Sequence, residues 1–214
     1  MRNVLITGFE PFGGGQVNPS AQVALALHGR VIANHKVVSV VLPCVFGDAL
    51  HELKKQLRRV KPVLVICLGQ AGGRAAISVE RVAINIDDAR IEDNAGKRPI
   101  DEPIAKKGPV AYWSTLPIKA IVVALKEHAI AAEVSQTAGT FVCNHVFYGL
   151  MRMLGKKPVR GGFIHIPYAP EQVVTMPENT PSMSVEEVIR GMEVVIATAL
   201  QTDQDVRVSG GATH

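Results

Sequence analysis

The sequence predicts a single α/β domain in which buried strands alternate with helices, and three observations predict it. Strand-like apolar runs and helical periodicities follow one another along the whole chain, the order expected when helices cover a sheet. The run at 63–68, Val-Leu-Val-Ile-Cys-Leu, is apolar at every position, as in a strand covered on both faces. The 214 residues hold no internal repeat, low-complexity segment or dividing linker, and a chain of that length builds one core without staples. The expected domain covers residues 1–201, followed by a polar, frayed tail over 202–214.

Composition narrows the class. The three cysteines, Cys44, Cys67 and Cys143, form no CxxC pair and no zinc-ligand spacing with histidine, a usage that fits a reducing cytoplasm. The first apolar run is too short for a signal peptide, and no stretch approaches the ~20 apolar residues of a membrane span. The net charge of +4 is scattered. Its densest group, Lys54, Lys55, Arg58 and Arg59, falls on the polar side of a predicted helix without the interleaved aromatics of a nucleic-acid surface.

Taken in order, residues 3–8 read as a buried first strand and 9–20 as the loop after it, with a helix over 19–27. That loop is glycine-rich but matches neither GxGxxG nor GxxxxGK[ST] and holds no lysine. Phe9 and Phe12 stand at the carboxyl end of the strand, where α/β sheets place ligands, or else plug the sheet edge. A strand over 37–42 ends at Pro43-Cys44, and a helix over 47–59 turns Leu50, Leu53 and Leu57 inward. After the 63–68 strand, with Cys67 as core, comes a second glycine-rich loop, Gly69-Gln70-Ala71-Gly72-Gly73-Arg74.

Residues 77–85 alternate as one strand that puts Glu80 on the face of Val82 and Ile84. A carboxylate on an inward face needs a partner; on an edge strand it can stay in water. Residues 87–109 are polar and loop-like, and loops of such length are functional or mobile. Ser114 or Thr115 is expected to cap a helix running to His128, with Pro117 in its first turn.

The stretch 132–136 reads as a strand, and Val146, Leu150, Met153 and Leu154 as a helix that Gly155 closes. Cys143 therefore falls in a first helical turn. Unpaired N–H groups and the helix dipole there favour a thiolate and can hold an oxyanion, although a buried core cysteine fits the position too. In the strand 162–167, His165 faces opposite to Ile164 and Ile166, as a core histidine or a base. The last helix spans 184–200, with an acidic first turn.

Glu80, Cys143 and His165 together supply orienter, nucleophile and base for acyl transfer to sulfur. The chain also resembles the pyrrolidone-carboxylate peptidase family, the type I pyroglutamyl peptidases or C15 cysteine peptidases. The resemblance rests on collinear motifs reaching to the last helix. They are Val4-Leu5-Ile6-Thr7-Gly8-Phe9-Glu10-Pro11-Phe12-Gly13, Asn18-Pro19-Ser20, the loop Gly69 to Arg74, Glu80-Arg81-Val82-Ala83-Ile84-Asn85, Thr140-Phe141-Val142-Cys143-Asn144 and Gly162-Phe163-Ile164-His165-Ile166-Pro167.

The resemblance implies a cytoplasmic enzyme that removes an N-terminal pyroglutamyl residue from peptides, with no metal or cofactor; scattered charge and short apolar runs set the expectation of no nucleic-acid or membrane partner. It implies a Glu80, Cys143, His165 triad, with Phe9, Phe12 and Phe141 forming a lactam pocket. It further implies that Gln70 lies by the substrate and that the backbone of Arg90 assists the oxyanion. Cys44 stands where relatives often carry threonine, which leaves its pocket role open. The implied fold is a single-domain three-layer α/β/α sandwich around a mixed, mostly parallel sheet, and the implied assembly a homotetramer. Pyroglutamate has no charged amine, so an apolar slot with a few hydrogen bonds suits it and excludes an unpaired ammonium. Two other readings stand beside this one: a phosphorylase-like, nucleoside-handling enzyme with phosphate at the Gly13 to Gly15 loop, and a non-catalytic binding module.

Overall fold

The computed structural model describes residues 1–211 of the chain. Its elements are β1 (Arg2–Phe9), α1 (Pro19–Ala26), β2 (Val31–Ile32), β3 (His35–Leu42), α2 (Asp48–Val60), β4 (Leu64–Gln70), β5 (Ile77–Glu80) and β6 (Val82–Ile84). They continue with β7 (Ala111–Trp113), α3 (Ile118–Glu127), β8 (Ala132–Ser135), α4 (Val142–Leu154), β9 (Arg160–Ile166), α5 (Pro170–Val173) and α6 (Val185–Gln201).

Seven strands form the main sheet in the order β2-β3-β1-β4-β9-β5-β8. The run β3-β1-β4-β9 is parallel; β2 opposes β3, and β5 opposes β9 while running parallel to β8. Strand alternation divides the core in two. Val4, Ile6, Ile66, Ile164 and Ile166 point to the side covered by α1, α3 and α6. Leu5, Val65, Cys67 and Phe163 point to the side covered by α2 and α4. The architecture is the three-layer sandwich with a mixed, mostly parallel sheet. Each fully buried side chain such as Leu53 or Val146 contributes about 1.5–3 kcal/mol relative to exposure.

Local groups close several helix ends. Asn18 accepts from Ser20 N at 3.1 Å with Pro19 in the first turn of α1, Ser184 accepts from Glu187 N on α6, and Gly155 closes α4. Gly8 carries no side chain where one would meet Ser20 O at 2.2 Å, so α1 begins hard against β1.

Three local expectations are corrected. Residues 77–85 are two strands: the chain leaves the main sheet at Arg81, and β6 pairs with β7 in a separate antiparallel ribbon. Alternation continues across such a kink, so periodicity cannot show where a strand changes partners. Neither Ser114 nor Thr115 caps α3; Thr115 instead takes Gly161 N at 2.8 Å, beside β9. The cap of α3 comes from Asp205, which accepts from Lys119 N at 3.1 Å and Ala120 N at 2.8 Å.

Asp205 belongs to the segment expected to be a tail. Over its described part that segment is held further by Arg81 Nη2 donating to Gly210 O at 2.9 Å and by Arg160 donating to Thr202 O. Residues 212–214 of the expected tail lie outside the described residues.

Candidate active site

Cys143 is the second residue of α4. The helix opens on Phe141, whose extended backbone (φ −92°, ψ −166°) carries no side-chain cap, and its first returned bond is His145 N to Phe141 O at 3.2 Å. The N–H groups of Val142, Cys143 and Asn144 are thus the uncapped donors of the first turn, next to the sulfur. Asn144 fixes this end in place: its side chain accepts from Ile84 N and donates to the carbonyls of Ile84 and Ile86.

The sheet supplies the other groups. Gly69 of β4 is the register partner of His165 of β9, so both point to the same face. A Cβ on Gly69 would stand 2.8 Å from Cys143 Sγ, which places the sulfur in the notch beside the imidazole. Ser78 of β5 pairs with His165 from the other side, and Glu80, two residues on, shares that face. Because β5 runs against β9, its carboxyl end lies deep in the sheet. Glu80 is accordingly 0% exposed.

His165 Nδ1 lies 2.7 Å from Glu80 Oε1, and the carboxylate can only accept, so Nδ1 carries the proton and Nε2 is left as the basic nitrogen. Arg74 donates to the same Oε1 at 2.7 Å and, through Nη2, to Thr137 O at 2.9 Å. The guanidinium thus ties the second glycine-rich loop to the segment leading to the nucleophile. Burial pushes the Cys143 thiol well above its ordinary value; the neighbouring Cys44 thiol and the Glu80 carboxylate act in the same direction and Arg74 opposes it. Burial also lowers His165, against the Glu80 hydrogen bond and charge. Burial thus opposes the charged form of both groups, against the thiolate that the helix start alone favours.

A cavity of about 580 Å³ opens over this pair. Phe12, Gln70, Arg90, Phe141, Cys143 and His165 line it. Phe141 packs on Phe12 at 6.0 Å between ring centroids and meets Phe46 edge-on at 5.4 Å. Phe9 does not share this surface: it is 2% exposed and lies against Phe163, which in turn lies under the His165 ring. Another cleft, of about 470 Å³, lies by Arg81, Trp113 and Arg160 and holds neither a thiol nor an imidazole. Among the described residues, no three His, Cys, Asp or Glu side chains stand close enough to hold a metal ion.

The 87–109 loop is fastened at several points. Asp88 N donates to Thr140 O at 2.9 Å, Thr140 Oγ1 donates to Asp88 O at 2.7 Å, and Asn94 Nδ2 donates to Glu10 Oε1 at 2.9 Å. Asp87 pairs with His145 Nδ1 at 2.8 Å, while His145 Nε2 accepts from Gly47 N at 3.0 Å. No local sequence signal marks the task of His145. Arg74 stands in the sequence only as the end of its glycine-rich loop, although a buried carboxylate six residues on calls for a cation. Cys44 is buried, its thiol pushed up to about 12 by burial, Glu10 and Asp93.

Comparison with known proteins gives a consistent set of relatives. A family model described as pyroglutamyl peptidase, Peptidase C15, matches residues 2–202. The pyrrolidone-carboxylate peptidase of Bacillus cytotoxicus is 55% identical over 216 residues, with 100% of both chains covered. The crystal structure of pyroglutamyl peptidase I from Bacillus amyloliquefaciens superposes with a TM-score of 0.94 at 45% identity, covering 98% of this chain and 100% of that one. Pyrrolidone carboxyl peptidase from Thermococcus litoralis gives 0.94 at 42% identity, with the same coverage.

Proposed function

The chain belongs to the pyroglutamyl peptidase family of cysteine peptidases, and from that premise we propose that it hydrolyses the amide bond after an N-terminal pyroglutamyl residue, with Cys143 as nucleophile, His165 as base and Glu80 as orienter. One observation carries the assignment of roles. The Glu80–His165 hydrogen bond of 2.7 Å and the Gly69 notch that holds Sγ occupy adjacent positions on one face of the sheet.

The chemistry follows from where the three side chains stand. As Sγ attacks the scissile carbonyl carbon, its proton passes to His165 Nε2, and Glu80 steadies the imidazolium. The oxyanion forms beside the uncapped N–H groups at the start of α4, to which the family likeness adds the backbone of Arg90. The C–N bond then breaks, and the imidazolium protonates the leaving amine. Water, deprotonated by the same nitrogen, cleaves the thioester and releases pyroglutamate. Phe12 and Phe141 supply the apolar wall for the ring, with Gln70 at its polar edge and Phe9 as backing behind Phe163.

Three finer statements belong to the same proposal. A cytoplasmic place is supported by three unpaired thiols, and among the described residues no helix is long and apolar enough to cross a membrane. Homotetrameric assembly is supported by the family likeness, and the absence of nucleic-acid partners by the scattered positive charge. The phosphate-handling and non-catalytic readings gain nothing from the relatives. The test is turnover of a chromogenic pyroglutamyl amide by purified protein, with complete loss after iodoacetamide. Turnover that survives alkylation would remove the thiol mechanism.

A further inference from the structure

Gln172, on the short helix α5, is held so that the two ends of its amide cannot exchange. Ala169 N donates to Gln172 Oε1 at 2.9 Å, and a backbone N–H can only donate. Gln172 Nε2 then points the other way, toward Val17 O at 3.4 Å and Gln70 Oε1 at 2.8 Å. The Val17 carbonyl can only accept, so two one-way partners agree on the orientation. Gln70 must therefore offer its oxygen to Gln172, which leaves its NH₂ group without a protein partner among the described residues, on a residue that lines the cavity.

We propose that Gln172 is a positioning residue that fixes the Gln70 amide as a hydrogen-bond donor toward the ring carbonyl of the bound lactam. The inference rests on the peptidase reading for the nature of the ligand. A lactam carbonyl is an acceptor, and an NH₂ group at Gln70 matches it. With the amide reversed, oxygen would face oxygen, and a site built that way rejects the ring it otherwise selects.

Gln172→Glu keeps the side-chain length and the acceptor for Ala169 but cannot donate, so Gln70 turns its NH₂ inward. The expected result is a fall of about 30-fold in kcat/KM for a pyroglutamyl amide, mostly in KM, because the contact exists before the transition state as well as in it. Affinity for 2-pyrrolidone, the bare ring, should fall by a similar factor in a calorimetric or NMR titration. In a Gln70→Ala background the same substitution should change both readings by less than about twofold. Should Gln172→Glu fail to fold, Gln172→Met, which neither donates nor accepts strongly, should give a several-fold loss with the same dependence on Gln70. A loss that persists undiminished without the Gln70 amide would mark Gln172 as plain support for α5 and overturn the proposal. Unchanged pyrrolidone affinity, or a wild-type chain that does not bind the ring, would overturn it as well. A wild-type chain that binds the ring but leaves the amide uncut would instead count against the peptidase reading.

Discussion

Two buried imidazoles in this molecule are built alike and differ at one nitrogen. His165 sets Nδ1 against Glu80 at 2.7 Å, and His145 sets Nδ1 against Asp87 at 2.8 Å. Each histidine is at most 7% exposed. His145 spends its other nitrogen on Gly47 N at 3.0 Å, at the head of α2, and so fastens α4, the 87–109 loop and the 43–47 turn together. His165 keeps Nε2 for the cavity, next to the notch that holds sulfur. A carboxylate–imidazole pair is therefore no mark of catalysis in itself. What the second nitrogen faces decides whether the pair clamps a loop or moves a proton.

The comparison can be broken by substitution, starting where the largest effect is expected. Cys143→Ser should lower pyroglutamyl amide hydrolysis by at least about 10⁴-fold with an unchanged melting temperature, because it removes the atom both steps act through. His165→Gln should cost about 10³-fold or more in kcat with little change in stability. Glu80→Gln should cost less than loss of Cys143, about 10²–10³-fold, since a neutral amide no longer holds the Nδ1–H tautomer or steadies the imidazolium. A loss larger than that of Cys143→Ser would contradict the ranking.

His145→Gln should reverse the pattern. Losing two buried hydrogen bonds and leaving Asp87 underpartnered costs about 1–3 kcal/mol, a drop of several degrees in melting temperature, while kcat changes only a few-fold. An activity loss matching that of His165→Gln, without a stability change, would erase the distinction between the two pairs.

The pH profile gives the smallest but most direct test. Burial lowers His165 below its ordinary 6.5, so the base stays neutral, and kcat/KM level, down through that value; activity falls only at lower pH as the imidazole is protonated. The same proton count applies to stability. Above about pH 6.5 neither state is protonated there, and below it the unfolded chain gains the proton first, so this group destabilises the fold increasingly until its folded value is passed. The Arg74 charge is one cause of the lowering, so Arg74→Met should move the acid limb of kcat/KM toward higher pH. A limb that stays in place would remove Arg74 from the relay.

The legible parts of the chain are those whose signals are local. The runs that became β1, β4 and β9, the closing cap at Gly155, and the first-turn place of Cys143 each follow from a few neighbouring residues. What escaped depends on partners far along the chain. Asp205 caps α3 from 85 residues away, Asp87 meets His145 across 58, and Gln172 reaches Gln70 across 102. The split at Arg81 escaped for the same reason, since β6 follows a strand, β7, that lies beyond the 87–109 loop. Burial of the nucleophile's surroundings also works against the acidity expected from the helix start, because desolvation is a property of the packed layers and not of the turn.

The vacant side-chain position at Gly69 makes β4 part of the reaction vessel although it offers the substrate no functional group there. A methyl group at that point would contest the volume of the reactive atom itself and press on the Phe163 ring at 2.8 Å. Gly69→Ala is thus the smallest plug this catalyst can receive, and enzyme engineers who redesign the sheet for rigidity have one strand position at which the gain of a single carbon silences the sulfur.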